Sequence, residues 1–203
     1  MTTPEFQILP KLVLKDAGDS AAISCGEHDV VKVTLRWQAA VDLDLYCFYQ
    51  IKPEFRSTYQ VPKKGLFGLL GQKENATTPE FGMVCFDQMG DSTAHPFIEL
   101  DEDAGVGDAG GDNEENLIMA KHDHIQHALF VANIYAKPDG NFAAYDGLVL
   151  VSAGGQEIEV PLTDTKNGST WCVVAHFDNS EGVKKLININ KTQHTVPSIK
   201  DFA

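Results

Sequence analysis

Short runs rich in β-branched and aromatic residues recur along the chain, and turn-forming residues separate them. Runs of this kind are typical of β-strands, and no segment of helix length has the apolar spacing of an amphipathic helix. We predict strands at residues 12–15, 20–24, 30–37, 43–51, 83–88, 96–100, 116–119, 128–136, 147–153, 156–162, 171–177 and 184–190. Strands this short bury their apolar faces best as two packed layers. The sequence therefore predicts an all-β fold, a two-sheet β-sandwich with long acidic loops and at most short helical turns, one of them around residues 121–127.

Two of these runs have patterns that predict their positions in a sheet. Residues 128–135 are nearly continuously apolar, which is typical of a strand buried on both faces, so we expect a central strand there. Residues 156–162 alternate between polar and apolar side chains and include Pro161. Because proline cannot donate to a β-ladder, this run should lie at a sheet edge or end at the proline.

The segment from Glu99 to Glu115 combines carboxylates and glycines at unusual density. Carboxylates crowded together repel one another, whereas glycines let the backbone bend and turn its carbonyls inward. Oxygen ligands on a flexible loop suit Ca²⁺, which takes about six to eight of them in loose geometry. The segment does not match an EF-hand, because Val106 stands where the obligatory glycine would be. A solvated acidic loop without metal is the alternative interpretation.

A second acidic pair, Asp42 and Asp44, stands at the start of the strand predicted at 43–51. In extended backbone the two side chains point the same way, about 7 Å apart. Buried carboxylates are costly without compensation, so this pair should either face water or hold a cation. The pair and the acidic loop together predict a calcium site that forms when the chain folds.

In order and spacing, Asp42 and Asp44, the acidic glycine loop and the apolar run 125–135 resemble the tellurium-resistance TerD/TerA family of bacterial stress proteins. Residues 43–51 and 155–162 are most similar to the TerA-like branch. The resemblance spans roughly residues 20–190 and implies a β-sandwich that binds Ca²⁺ through the two acidic segments. Carried over residue by residue, it implicates Asp42, Asp44, Asp103, Asp108, Asp112 and Glu114. Asp101 and Glu115, from the same loop, complete the predicted set of metal ligands.

We predict a single domain over residues 1–203, with a Gly-rich apolar loop inserted at about 62–80. The insertion carries four large apolar side chains among glycines: Leu66, Phe67, Leu69 and Leu70. These residues either fill a gap on the sandwich or form an exposed partner-binding knob.

Net charge and cysteine content indicate which partners and which cellular compartment we expect. A net charge of −13 argues against nucleic-acid partners, which require basic surface. The four cysteines are far apart in the sequence and lie among strand-like residues, so we expect reduced thiols and a cytoplasmic location. Neither a secretion signal nor a membrane-spanning run is evident.

No catalytic motif emerges, so we expect a non-catalytic module that binds Ca²⁺ and acts in a stress response. As the resemblance implies, its partners would be other proteins of the tellurium-resistance system, with membrane contact only through them. One alternative is a metal-dependent hydrolase using the same carboxylates, and another is a purely structural sandwich. Three histidines at 122, 124 and 127 raise the separate, weaker hypothesis of a zinc site.

Overall fold

The computed structural model describes residues 11–62, 73–101, 113–135 and 141–202. The strands in chain order are β1 (Leu12–Val13), β2 (Ser20–Ala22), β3 (Val31–Trp37), β4 (Leu43–Ile51), β5 (Thr58–Pro62), β6 (Lys73–Thr77), β7 (Phe81–Val84), β8 (Gly90–Asp91), β9 (Ile98–Leu100), β10 (Asn113–Met119), β11 (Ile125–Ile134), β12 (Leu148–Ala153), β13 (Gln156–Pro161), β14 (Trp171–Asp178) and β15 (Lys185–Gln193). Four short 3₁₀ turns, at Pro53–Phe55, His122–His124, Phe142–Tyr145 and Ile199–Asp201, are the helical elements of the described residues.

The strands form two large sheets. A seven-stranded sheet has the order β1-β13-β12-β3-β10-β9-β8, and a six-stranded sheet has the order β2-β15-β14-β11-β4-β7. A small third sheet contains only β5 and β6. The predicted all-β, two-sheet sandwich is confirmed, as is the short helical turn before β11.

The core lies between the two large sheets and follows from strand alternation. In β3 the side chains of Val31, Val33, Leu35 and Trp37 point inward and are buried, whereas Lys32 and Arg36 are exposed. Alternate side chains of one strand leave on opposite faces, so this pattern fixes which face of the sheet is covered.

The six-stranded sheet is covered on both faces. The odd-numbered side chains of β4 enter the main core, while Tyr46 and Phe48 pack on the outer face beside Trp171. Ile199 and Phe202, near the carboxyl end of the described chain, belong to the same outer cluster. This second layer explains why nearly every residue of β4 is buried.

The sequence predictions for individual strands are confirmed in part. β11 lies between β14 and β4, which confirms the predicted central strand. β13 ends at Pro161, which confirms the predicted strand end. The sequence missed β8 and the β5–β6 hairpin, and β6 falls within the expected insertion. The apolar residues Leu66, Phe67, Leu69 and Leu70 lie outside the described residues, and the single-domain assignment stays a prediction.

β10 begins earlier than the sequence predicts. It starts at Asn113, rather than at residue 116, and continues the antiparallel ladder with β3 as far as Trp37. The side-chain amide of Asn113 donates to the carbonyl oxygen of Trp37 at 3.1 Å. Asn and Glu are disfavoured in strands, but pairing with β3 overrides that preference here. Glu114 and Glu115 therefore belong to a strand rather than to a loop.

Candidate metal centre

Glu115 connects the two large sheets at one corner of the sandwich. Its side chain leaves β10 on the inner face, and its Oε2 accepts a hydrogen bond from the backbone N–H of Leu45 in β4 at 2.6 Å. The pairing of β7 with β4 begins only at Cys47, so Leu45 lies beyond the end of that ladder. The carboxylate thus satisfies a buried backbone donor that lies beyond the end of the β4–β7 ladder. Only 1% of Glu115 is exposed.

Asp44 is the residue next to that hydrogen bond. It is 3% exposed and lies directly opposite Asn133 of β11 in the strand register. Asp42, just before β4, is partly exposed, and its carbonyl oxygen accepts from Tyr135 N at 3.2 Å. Period-two alternation within β4 places Asp44 on the same face as Tyr46, which belongs to the outer cluster.

Three carboxylates influence the pKa of Tyr46. Burial is the largest cause that raises the pKa of Tyr46, and the carboxylates of Asp44, Asp87 and Glu115 raise it further because they disfavour a phenolate. Asp44 and Glu115, which come from different sheets, therefore act on the same small region. We define the acidic corner as the carboxylates of Asp44, Asp87 and Glu115 together with Asp42, which lies two residues before Asp44 in the sequence.

Sequence reasoning missed Asp87. It lies in the turn after β7, where its Oδ1 is 2.7 Å from Cys85 Sγ. A lone aspartate in a turn is an ordinary sequence feature. No pattern in the sequence could have linked it to Asp44.

Two of the predicted ligands lie elsewhere. Glu114 points to the outer face of the seven-stranded sheet, where its Oε2 is 3.2 Å from Arg36 Nε. The backbone N–H of Asn116 donates to Asp101 Oδ1 at 2.8 Å, and its side-chain amide donates to Asp101 Oδ2 at 2.9 Å. A hydrogen bond from Asn116 is the first cause that lowers the pKa of Glu114, and Arg36 adds to it. The two carboxylates are thus held by local partners on the face opposite the core.

The remaining predicted ligands, Asp103, Asp108 and Asp112, lie outside the described residues. Within the described part of the chain, no three histidine, cysteine, aspartate or glutamate side chains are gathered so that they could hold a metal ion. The donors of the acidic corner are all carboxylates, which suit a hard cation such as Ca²⁺ better than zinc or copper. In this respect the residues fit the predicted metal.

The three clustered histidines do not form a zinc site. His122 Nε2 contacts the carbonyl oxygen of Gly26 at 3.2 Å, and His124 stacks on Phe55 with ring centroids 4.0 Å apart. His127 instead faces His176. A 3₁₀ turn followed by a strand sends the three side chains in different directions, so the weaker zinc hypothesis is wrong for these residues.

No family model matches the sequence, and no curated protein matches it. The fold is similar to the crystal structure of a homologue of telluride resistance protein (TerD) from Streptomyces coelicolor A3(2), with 17% identity, a TM-score of 0.49, and coverage of 83% of this chain and 92% of that one. A second similar structure, a protein of unknown function, has 13% identity and a TM-score of 0.44, with coverage of 83% and 94%. Neither likeness establishes a family.

No helix among the described residues is both long enough and apolar enough to cross a bilayer.

Proposed function

We propose that this protein is a non-catalytic calcium-binding module of the tellurium-resistance type. The observation that supports the proposal most directly is that two buried carboxylates, Asp44 and Glu115, both raise the pKa of Tyr46. These two carboxylates come from different sheets, and both are buried at one corner of the sandwich. The acidic segment 102–112 enters β10 two residues before Glu115.

The physical reason for a cation is electrostatic. Like charges brought together in a low-dielectric region raise one another's energy, and burial removes the water that would screen them. A divalent cation at the corner would lower that energy. We propose that Asp42, Asp44 and Glu115 would contribute ligands together with Asp103, Asp108 and Asp112, because the described residues alone do not gather three such side chains. Asp101 and Glu114 remain proposed ligands only if they leave their present partners on the outer face.

The biological role in this proposal follows from the sequence resemblance. The module would act in the bacterial cytoplasm through other proteins of the tellurium-resistance system. All four cysteines are free, which agrees with a reducing compartment. Bound calcium would supply positive charge that fixes the acidic segment on the sandwich, and the chain would contribute binding rather than bond cleavage.

Calcium titration of two neighbouring glutamates tests the assignment. Glu115→Gln keeps an oxygen that can accept from Leu45 N but removes the charge at the corner. Glu114→Gln removes an equal charge one residue away, on the opposite face. We expect isothermal titration to show Ca²⁺ affinity reduced about tenfold or more in Glu115→Gln, because affinity depends on ligand charge, and by less than about threefold in Glu114→Gln. Equal losses would contradict the corner site, and no binding by the unmodified protein would contradict the function.

A further inference from the structure

Two buried histidines face each other on the outer side of the six-stranded sheet. His127 Nδ1 is 3.1 Å from His176 Nε2, and the two residues are 7% and 5% exposed. They come from neighbouring strands, β11 and β14. Asp178 lies directly opposite His127 in the register, and its Oδ1 is 3.5 Å from the same Nδ1.

A nitrogen-to-nitrogen distance of 3.1 Å indicates a hydrogen bond between the rings. Such a bond needs one ring nitrogen with a proton and one without it. It can therefore form when both rings are neutral or when one is charged. When both are charged, two N–H donors face each other with no acceptor between them, and the contact becomes repulsive.

The charged groups around the pair are few. Asp178 is the one that acts on both rings, and it is fixed by hydrogen bonds from Ser180 N at 2.9 Å and Ser180 Oγ at 2.6 Å. On the β4 side, the residue opposite His127 is Gln50, whose amide donates to Glu80 at 3.1 Å. On the β15 side, Lys185 lies opposite Asp178, and its amine is 3.4 Å from Glu181.

The residues beside His176 are apolar. Leu129 of β11 and Ile187 of β15 lie opposite it in the register. A charge on this ring would therefore have to be accommodated beside hydrocarbon, with Asp178 as the anion nearest to the pair.

We propose that His127 and His176 form an acid-sensitive latch that holds the adjoining ends of β11 and β14 together and releases them when both rings are protonated. The latch is distinct from the acidic corner, because His127 and Asp44 lie near opposite ends of the β11–β4 ladder.

The direction of the pH effect follows from the environment of each ring. Burial is the largest cause that lowers the pKa of both histidines, and His127 helps to lower that of His176 to about 4, while Asp178 acts in the opposite direction. In the unfolded chain both rings have a pKa of about 6.5. As the pH falls, the unfolded chain binds protons before the folded one does. The stability contributed by the pair is therefore complete above about pH 6.5 and is lost between that pH and about 4.

Nuclear magnetic resonance of the full chain tests the latch without any substitution. In spectra that report ring nitrogens, we expect His176 to remain neutral at pH 5.5, with one ring donating to the other. Amide exchange, corrected for its intrinsic pH dependence, should accelerate at residues 127–129 and 176–178 between pH 6 and pH 4.5, before β3 and β12 respond. A charged His176 at pH 5.5 in the folded protein would overturn the proposal, as would uniform exchange across both sheets.

A pair of variants provides an independent test. His176→Gln removes one titrating ring, and His194→Gln removes an exposed histidine as a matched control. Between pH 7.5 and 5.0, the ratio of folded to unfolded protein in urea should fall in the unmodified protein. In His176→Gln, the factor by which this ratio falls should be about ten times smaller. The control should show the unmodified pH dependence. Identical pH dependence in all three proteins would overturn the latch, and if His176→Gln fails to fold, the resonance experiment decides.

Discussion

At the scale of single residues, the structure gives different environments to side chains that look equivalent in the sequence. Glu114 and Glu115 are both acidic and adjacent, yet one is held by Arg36 on the outer face and the other caps Leu45 in the interior. The sequence predicted both as ligands of one loop because it could not show that β10 starts at Asn113. Once the strand is known, period-two alternation separates them.

Two glycines that both have positive φ also differ in their surroundings. Gly154 and Gly168 both have positive φ, 55° and 82°, which side-chain-bearing residues rarely adopt. A Cβ at Gly154 would clash with the carbonyl oxygen of Ser24, whereas a Cβ at Gly168 would meet nothing within 4 Å. Gly168→Ala should therefore cost about 1 to 2 kcal/mol from backbone strain alone. Gly154→Ala should cost about 1 to 3 kcal/mol more, because a backbone atom must also move.

Urea unfolding of the two glycine variants measures this difference directly. Equal losses of unfolding free energy would show that the Ser24 segment shifts freely and that the turn between β12 and β13 is not held by that contact.

At the scale of elements, the predictable strands were those with apolar or alternating side chains. β3, β4, β11, β12, β13 and β14 all have this character, and the sequence located them well. Two of the missed strands lack it: β6 is Lys73–Thr77, and β8 is Gly90–Asp91. β6 and β8 form strands because a neighbouring strand supplies hydrogen bonds. The hydrophobic pattern of the sequence carries no information about such pairing.

The β5–β6 hairpin brackets the apolar segment with Leu66, Phe67, Leu69 and Leu70. Among the described residues, β5 and β6 pair with each other and with neither large sheet. If these residues bind a partner, Phe67→Ser combined with Leu69→Ser should leave the melting temperature and calcium affinity nearly unchanged while abolishing capture of proteins of the tellurium-resistance system.

A large loss of stability in the same double variant would contradict partner binding by the apolar segment. A loss of roughly 3 kcal/mol or more in the double variant would mean that these side chains fill a packed site, and the partner-binding hypothesis would fail. Substituting Lys63 and Lys64 by serine in the same segment is the matched control, since it changes neighbouring residues without removing apolar area.

At the scale of the whole molecule, the sequence predicted the two-sheet architecture, which is confirmed, whereas the position of the metal site stays a prediction. Two apolar-faced sheets follow from the strand pattern. The hydrogen bond from the backbone N–H of Leu45, the residue after Asp44, to Glu115 depends on contact between β4 and β10, which belong to different sheets. Asp87 could not be found from sequence at all, because it reaches the corner only through the β7 turn.

An ion held by residues of both sheets would stabilise the sandwich as a unit. Ca²⁺ that binds only the folded chain raises the free energy of unfolding in proportion to the logarithm of its free concentration. At about 100 times the dissociation constant the gain would be roughly 2.7 kcal/mol. For a chain of this size, that gain corresponds to an increase of about 5 to 10 °C in the melting temperature.

The melting temperature in excess chelator and in millimolar Ca²⁺, recorded on the full chain with Mg²⁺ as a control, tests the calcium proposal most directly. We predict an increase of about 5 to 10 °C with Ca²⁺, a smaller increase with Mg²⁺, and loss of most of the calcium effect in Glu115→Gln. An unchanged melting temperature between chelator and Ca²⁺ would contradict the account.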